Sequence, residues 1–425
     1  MMRQTDRYYK FDWITILLFF LLVGFGWLNI LSASQTGETI DYFSFSNSYG
    51  KQLIFIILSL VLIIFILSID SKFYERFTSI IYLVSMLSLV GLFIFGKNIN
   101  GATSWYDLGG ITLQPSEFAK VATALAVAKY VSDLQTDIKY FKDQLRLFGI
   151  ILLPAFLILL QKDAGSTLVY GAFFFVLYRE GLPKIYLIIG SLLIILSVAA
   201  LKFGVTVTML TGALIVFGYY FTRRKKPPFY KPIFALIIGL GLAFLVRYVY
   251  ENQLPFHQKD RITIWLSLEK DAATLESMKK KAAYNLLESE KAISSGGFTG
   301  KGFLEGTRTT GKFVPEQHTD YIFSTVGEEW GFIGSFGVVL VFVLLILRLL
   351  HLAELQKSQF SRVYGYSVAA IFFLHFLINI GMVMGLIPTI GIPLPFFSYG
   401  GSGLWGFTIL LFIFIKLDSN RINQW

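Results

Sequence analysis

Long apolar runs, separated by short polar stretches, dominate this chain. A membrane crossing needs about 20 mostly apolar residues, and nine runs stand out at 12 to 32, 50 to 69, 76 to 95, 144 to 160, 184 to 202, 230 to 249, 331 to 350, 363 to 386 and 403 to 416. Three shorter ones lie at 117 to 132, 166 to 179 and 206 to 221. The pattern predicts an all-α polytopic integral membrane protein with about 12 transmembrane helices and one large outer loop, from about 251 to 329. Within that loop, Leu275, Met278, Ala282 and Leu286 recur at spacings of three and four, which predicts a helix with one apolar face lying on the membrane surface.

Charge fixes the orientation. Short cytoplasmic loops collect Lys and Arg. With the N-terminus inside, Arg3, Arg7, Lys72, Arg76, Lys139, Lys142, Arg179, Lys184, the run RRKKPP at 223 to 228, Lys357, Arg362 and Arg421 fall on one side, whereas the opposite short loops hold only Lys51, Lys97, Lys162 and Lys202. Both termini are therefore expected in the cytoplasm. The formal charge of +10 is mostly this topological bias, so it carries no nucleic-acid function. RRKKPP reads as a cytoplasmic stop signal, with attraction to anionic lipid as the alternative.

Composition agrees: 55% of residues are hydrophobic and 15% charged, against about 25% charged in soluble domains. The first apolar run is span-length and lacks a small-residue cleavage site, so it reads as an anchor. With no cysteine, disulfides, thiolate metal sites and a Cys nucleophile are excluded. Four histidines make a histidine-rich metal site an unattractive reading.

Four stretches carry candidate chemistry. LQPSEFAK, 113 to 120, opens a short span on the outer side: Pro115 suits a first helical turn, Glu117 the positive end of the dipole, and Lys120 follows one turn on. A Lys near a helix N-terminus at membrane depth needs an anion. Either Glu117 neutralises it, or the pair lines a site for a phosphate-bearing ligand. QKDAGS, 161 to 166, is a tight connection in which Asp163 is ordinary turn chemistry. Asp271, in the outer loop, is either a helix N-cap or a general base. PTIGIPLPFFSYGGSG, 388 to 403, is too apolar for a solvated loop and too rich in Pro and Gly for a helix. Irregular backbone at membrane depth is tolerated where protein buries it or a cavity needs it. The segment is expected to dip back toward the membrane as part of a cavity wall, with Ser398, Gly400 and Gly401 at its end; a packed turn without ligand contact is the alternative.

NINGATSWYDLGGITLQPSEFAK (98 to 120), QKDAGS, GFTGKGFLEGTRTTGKFVPEQHTDYIFSTVGEEWGFIG (297 to 334) and NIGMVMGLIPTIGIPLPFFSYGGSG (379 to 403) resemble the RodA/FtsW, or SEDS, family in order along nearly the whole chain. The wording of the third stretch is closer to the elongation-type RodA branch than to the division-type FtsW branch. The resemblance implies a peptidoglycan glycosyltransferase of the bacterial inner membrane that polymerises lipid II, a disaccharide-peptide on undecaprenyl pyrophosphate, at the outer face. It implies a class B penicillin-binding protein as partner. It places the essential carboxylate at Asp271, with Tyr284 as the accompanying Tyr, and makes Glu117 and Asp163 cavity residues in supporting roles; with Lys120 and with Ser398, Gly400 and Gly401 of the irregular segment they form the expected substrate-binding set. An α-linked donor giving a β-1,4 glycan implies inversion with one base, Asp271, while Lys120 offsets the charge on the departing pyrophosphate and a divalent cation is a candidate to share that role.

The chain departs from the family pattern in places. Ala272 follows Asp271 where Pro is usual, Lys162 replaces the Pro of the Gln-Pro-Asp motif, Glu288 stands where Gln is common, and Thr103 and Ser104 stand where basic residues are frequent. Spans around 184 to 221 look additional to a ten-helix core. Rival readings are a flippase for the lipid-linked precursor, which has no need of a positioned outer carboxylate, and a non-catalytic scaffold, which would tolerate loss of Asp271.

Overall fold

The computed structural model describes residues 10–35, 45, 47–99, 101–107, 109–110, 112–222, 228–254, 256–268 and 284–421. Among the described residues, ten helices are long and apolar enough to cross a membrane. The described elements run α1 (Trp13–Ser34), α2 (Ser48–Ser68), α3 (Ser71–Phe95), β1 (Lys97–Ile99), β2 (Ala102–Asp107), β3 (Thr112–Leu113), α4 (Pro115–Val131), α5 (Phe141–Leu160), α6 (Ala164–Val169), α7 (Ala172–Arg179), α8 (Lys184–Phe203), α9 (Val205–Thr222), α10 (Tyr230–Asn252), α11 (Phe256–Leu266), α12 (Tyr284–Ser295), α13 (Thr307–Thr310), α14 (Ile322–Glu354), α15 (Gln359–Val383) and α16 (Gly401–Ser419). The ten are α1, α2, α3, α5, α8, α9, α10, α14, α15 and α16. Of the two remaining expected spans, α4 has only 17 residues, and 166 to 179 is broken at Tyr170 and Gly171 between α6 and α7.

The chain forms two compact units. The first contains residues 1–182, 288–386 and 390–425. Its centre is α4, α15 and α16. Over its apolar stretch α16 is 83% buried, against 28% for α2. Ala119, Ala122, Ala124, Ala126 and Ala128 give α4 a slim profile, which lets neighbouring helices approach closely in lipid, where small residues mark helix contacts. Phe19, Phe372, Phe396, Phe407 and Phe412 meet edge to face at the centre, with centroids 5.0 to 6.0 Å apart.

Between α3 and α4 the chain forms a small antiparallel sheet, β1-β2-β3, which the all-α expectation did not contain. Lys97 pairs with Trp105 and Tyr106 with Leu113, and the Tyr106 hydroxyl donates to the Ser88 carbonyl at 2.7 Å, fastening the sheet to α3. Gly101, at φ +88°, supplies the left-handed turn residue of the β1-β2 hairpin.

The second unit contains residues 183–287 and 387–389. Gly204, at φ +81°, turns α8 into α9, and Ala200, Val205, Ala243 and Met209 pack as a small core among α8, α9 and α10. Beyond them, the Tyr250 and Thr263 hydroxyls lie 2.5 Å apart and join α10 to α11, whose Arg261 donates to the Thr389 carbonyl at 3.1 Å.

Candidate active site

Pro115 opens α4, where its missing N–H has no helical partner to lose. The Gln114 N–H donates to Ser402 Oγ at 3.0 Å, and that hydroxyl donates to the Thr112 carbonyl at 3.1 Å. Gln114 Nε2 donates to Asp163 Oδ2 at 3.0 Å. Asp163 caps α6, accepting from Ser166 N at 2.9 Å and Ser166 Oγ at 2.8 Å. It is thus a helix cap, as its turn chemistry suggests, and also a tie between α6 and the head of α4. Lys162 beside it adopts φ +64°. A proline, locked near −65°, cannot take that conformation.

One turn into α4, Glu117 and Lys120 form a buried ion pair, with 3% and 2% of their side chains exposed. Lys120 Nζ donates to Glu117 Oε1 at 2.8 Å and lies 2.9 Å from His375 Nε2, with the Phe407 ring centroid 4.7 Å away. His375 Nδ1 is 3.1 Å from the Pro393 carbonyl. Since that carbonyl only accepts, Nδ1 carries the proton and Nε2 accepts from Lys120. The ammonium is enclosed by Glu117, His375 and an aromatic face. Gly406 makes room for this: a Cβ there would stand 3.0 Å from Glu117 Cβ.

The segment after α15 is buried from Leu394 to Ser398, and several of its polar groups are paired. Asn379, one turn beyond His375, donates to the carbonyls of Ile392 at 2.7 Å and Asp320 at 2.8 Å. Ser398 Oγ accepts from Leu394 N at 2.9 Å and donates to the Thr319 carbonyl at 2.7 Å. Tyr399 N donates to the His318 carbonyl at 2.9 Å, and Gly400 N to Gln52 Oε1 at 3.1 Å. Gly400 takes φ +149°, and a Cβ at Gly401 would stand 3.0 Å from the Phe55 ring. Thus Glu117, Lys120, Asp163, Ser398, Gly400 and Gly401 belong to one connected assembly of α4, α6, α15, α16 and the irregular segment.

The outer motif at 297 to 334 folds around a break in α14. Gly331, at φ +60°, interrupts the helix, and Phe332 N donates instead to the Gly297 carbonyl at 2.9 Å. Glu328, fully buried, accepts from Arg308 N at 2.9 Å, Thr309 N at 2.8 Å, Thr309 Oγ at 2.8 Å and Lys301 Nζ at 2.6 Å. Its neighbour Glu329 accepts from Ser32 Oγ. The carboxylates therefore organise this loop over the end of α1. Glu288 pairs with Arg308 and with Lys291.

Asp271 lies outside the described residues, as do Leu275, Met278 and Ala282 of the expected surface helix. Tyr284 opens α12 in the second unit. Among the described residues no three His, Asp or Glu side chains converge to hold a metal ion. His375, Asn379 and Gln52 were missed by the sequence reading. The first two lie four apart in an apolar run, a spacing that puts both on one helix face.

Two overlapping stretches, residues 12–225 and 204–423, match the FtsW/RodA/SpoVE family model, described as "Cell cycle protein". The chain belongs to this family. It is 32% identical to the peptidoglycan glycosyltransferase RodA of Treponema pallidum, covering 97% of this chain and 98% of the relative. It is 31% identical to the peptidoglycan glycosyltransferase MrdB of Escherichia coli K12, covering 82% and 80%. Among solved structures, a chain of a peptidoglycan synthase complex, described as coordinating polymerization and crosslinking, superposes with TM-score 0.72 at 24% identity, covering 97% and 99%. The rod shape determining protein RodA of Thermus thermophilus superposes with TM-score 0.60 at 24% identity over 97% of each chain. At these identities, the two structures establish the fold alone.

Proposed function

We propose that this chain is a peptidoglycan glycosyltransferase that polymerises lipid II into β-1,4 glycan strands for elongation and cell shape, at the outer face of the bacterial inner membrane. The observation that carries the reading is similarity over four fifths or more of the chain to relatives named for that activity. Counting α4 and the α6–α7 pair as crossings adds two to the ten long helices and gives twelve. With that count, the bias of Lys and Arg supports a reading with both termini in the cytoplasm and residues 251 to 329 outside.

The acceptor's 4-hydroxyl attacks the anomeric carbon of the donor from the face opposite its pyrophosphate. The bond from that carbon to the pyrophosphate oxygen breaks, and the configuration inverts. Asp271 accepts the hydroxyl proton. In the buried assembly of the first unit, Asp163 and Gln114 fix the head of α4, and Ser398, Gly400 and Gly401 fix the irregular segment. In the enclosed arrangement Lys120 is compensated by Glu117. For it to offset pyrophosphate charge directly, its ammonium must exchange Glu117 or His375 for a phosphate oxygen, and the negative charge of the substrate supplies the drive. A class B penicillin-binding protein is the partner expected to crosslink the product, a reading supported by the described role of the synthase complex.

The test is glycan-chain formation from lipid II by purified protein, with and without a candidate transpeptidase, comparing wild type with Asp271→Ala. Polymer from wild type alone supports the reading. Polymer from a folded variant moves the base elsewhere. No polymer from wild type with any partner returns the chain to the flippase or scaffold readings.

A further inference from the structure

Residues 317 to 320 are held at every position. Gln317 Nε2 donates to the carbonyls of Ala33 and Thr309, each at 2.8 Å. The carbonyls of His318, Thr319 and Asp320 accept from Tyr399 N at 2.9 Å, Ser398 Oγ at 2.7 Å and Asn379 Nδ2 at 2.8 Å. The His318 ring lies 5.3 Å from that of Tyr399, centroid to centroid. Yet among the described residues neither nitrogen of that ring has a hydrogen-bond partner. The ring borders a polar pocket of about 230 Å³, lined also by Ser34, Ser48, Lys312, Glu316 and Gln317. A side chain whose backbone is immobilised while its polar atoms stay unpaired is arranged like a preorganised contact residue.

We propose that this pocket is a saccharide subsite in which the His318 imidazole hydrogen-bonds a sugar hydroxyl of the lipid-linked substrate. The proposal rests on the glycosyltransferase reading and deepens it. Three features favour a sugar over a phosphate. Among the described residues the pocket carries one cation, Lys312, and one carboxylate, Glu316, so these give it little net charge to attract a phosphate. Burial holds the imidazole pKa below its ordinary value, with Glu316 opposing and Lys312 adding to the shift, so the ring is neutral at pH 7. A neutral imidazole offers one donor and one acceptor, the complement of a hydroxyl group. The pocket also sits beside Tyr399, at the end of the irregular segment that walls the proposed site.

The experiment measures binding of two probes to the purified full-length chain: lipid II, and undecaprenyl pyrophosphate, which lacks the sugars. His318→Phe is compared with His318→Gln, whose amide keeps both a donor and an acceptor. The expected result is a loss of about 3- to 10-fold in lipid II affinity for His318→Phe, the worth of one neutral hydrogen bond. Affinity for undecaprenyl pyrophosphate stays unchanged, and His318→Gln recovers most of the lipid II loss. Equal loss on both probes, or no loss on either, overturns the proposal. Wild-type polymerisation of lipid II, run alongside, tests the parent reading separately: if wild type polymerises and His318→Phe binds both probes normally, only the subsite falls.

Discussion

Replacing Glu117 by Gln removes the charge that compensates Lys120 while keeping the shape of the side chain. Both side chains are almost wholly enclosed, at 3% and 2% exposure, so water cannot reach the orphaned ammonium. What remains around it is the neutral amide oxygen of the new Gln, one imidazole nitrogen at 2.9 Å and an aromatic face at 4.7 Å, with no negative charge. Removing one partner of a buried pair costs about 3–5 kcal/mol, whereas removing both charges together is often nearly neutral. The expected outcome is therefore strong destabilisation by Glu117→Gln and recovery of most of that loss in the Glu117→Gln, Lys120→Met double variant. Unfolding in mixed micelles at rising denaturing-detergent fraction, read by tryptophan fluorescence, gives the double-mutant cycle. Lys97→Ala is the control, because its pair with Asp107 is open to solvent and should count for far less. A Glu117→Gln variant no less stable than the Lys97→Ala control would refute the argument, as would a double variant as unstable as the two single losses combined.

Gly26→Ala places a Cβ 2.7 Å from the Phe397 carbonyl oxygen, so the irregular segment must shift; a loss of about 1–3 kcal/mol is expected by the same unfolding assay. Asn379→Leu removes the donor to the buried Ile392 carbonyl and to the part-buried Asp320 carbonyl and should cost about 1–3 kcal/mol, with faster hydrogen exchange across 388 to 400. The lowered pKa of His318 means that the unfolded chain binds its proton more readily than the folded one. Stability should fall as pH drops from about 6.5 through the folded value, and His318→Gln should flatten that part of the curve.

The membrane architecture was legible because apolar length is a strong, local signal. The runs at 12 to 32 and 184 to 202 became α1 and α8 within two residues at each end. The hairpin before α4 was not anticipated, although Asn100-Gly101 is a turn signal, because its strands are too short to alternate visibly. Residues 331 to 350 marked the transmembrane part of α14, but the helix starts at Ile322, and its break at Gly331 depends on a loop supplying hydrogen bonds from about 30 residues upstream. For the site, Glu117 with Lys120 was readable from their spacing. The enclosure of the ammonium by His375 and Phe407 was not, since it arises from helices more than 250 residues away. Asp271 was reached only through resemblance and lies outside the described residues.

His375 and Asn379 grip two adjacent carbonyls from successive turns of α15. A two-point attachment of this kind removes rotation as well as translation, so residues 392 and 393 must ride with that helix. Any displacement of the segment then has to be absorbed at its flanks, where Gly385 and Gly391 on one side and Gly400 on the other hold positive φ values of 71°, 82° and 149°. The segment is thus a plate pinned to α15, and whatever movement it makes relative to that helix is confined to its glycine-bearing flanks.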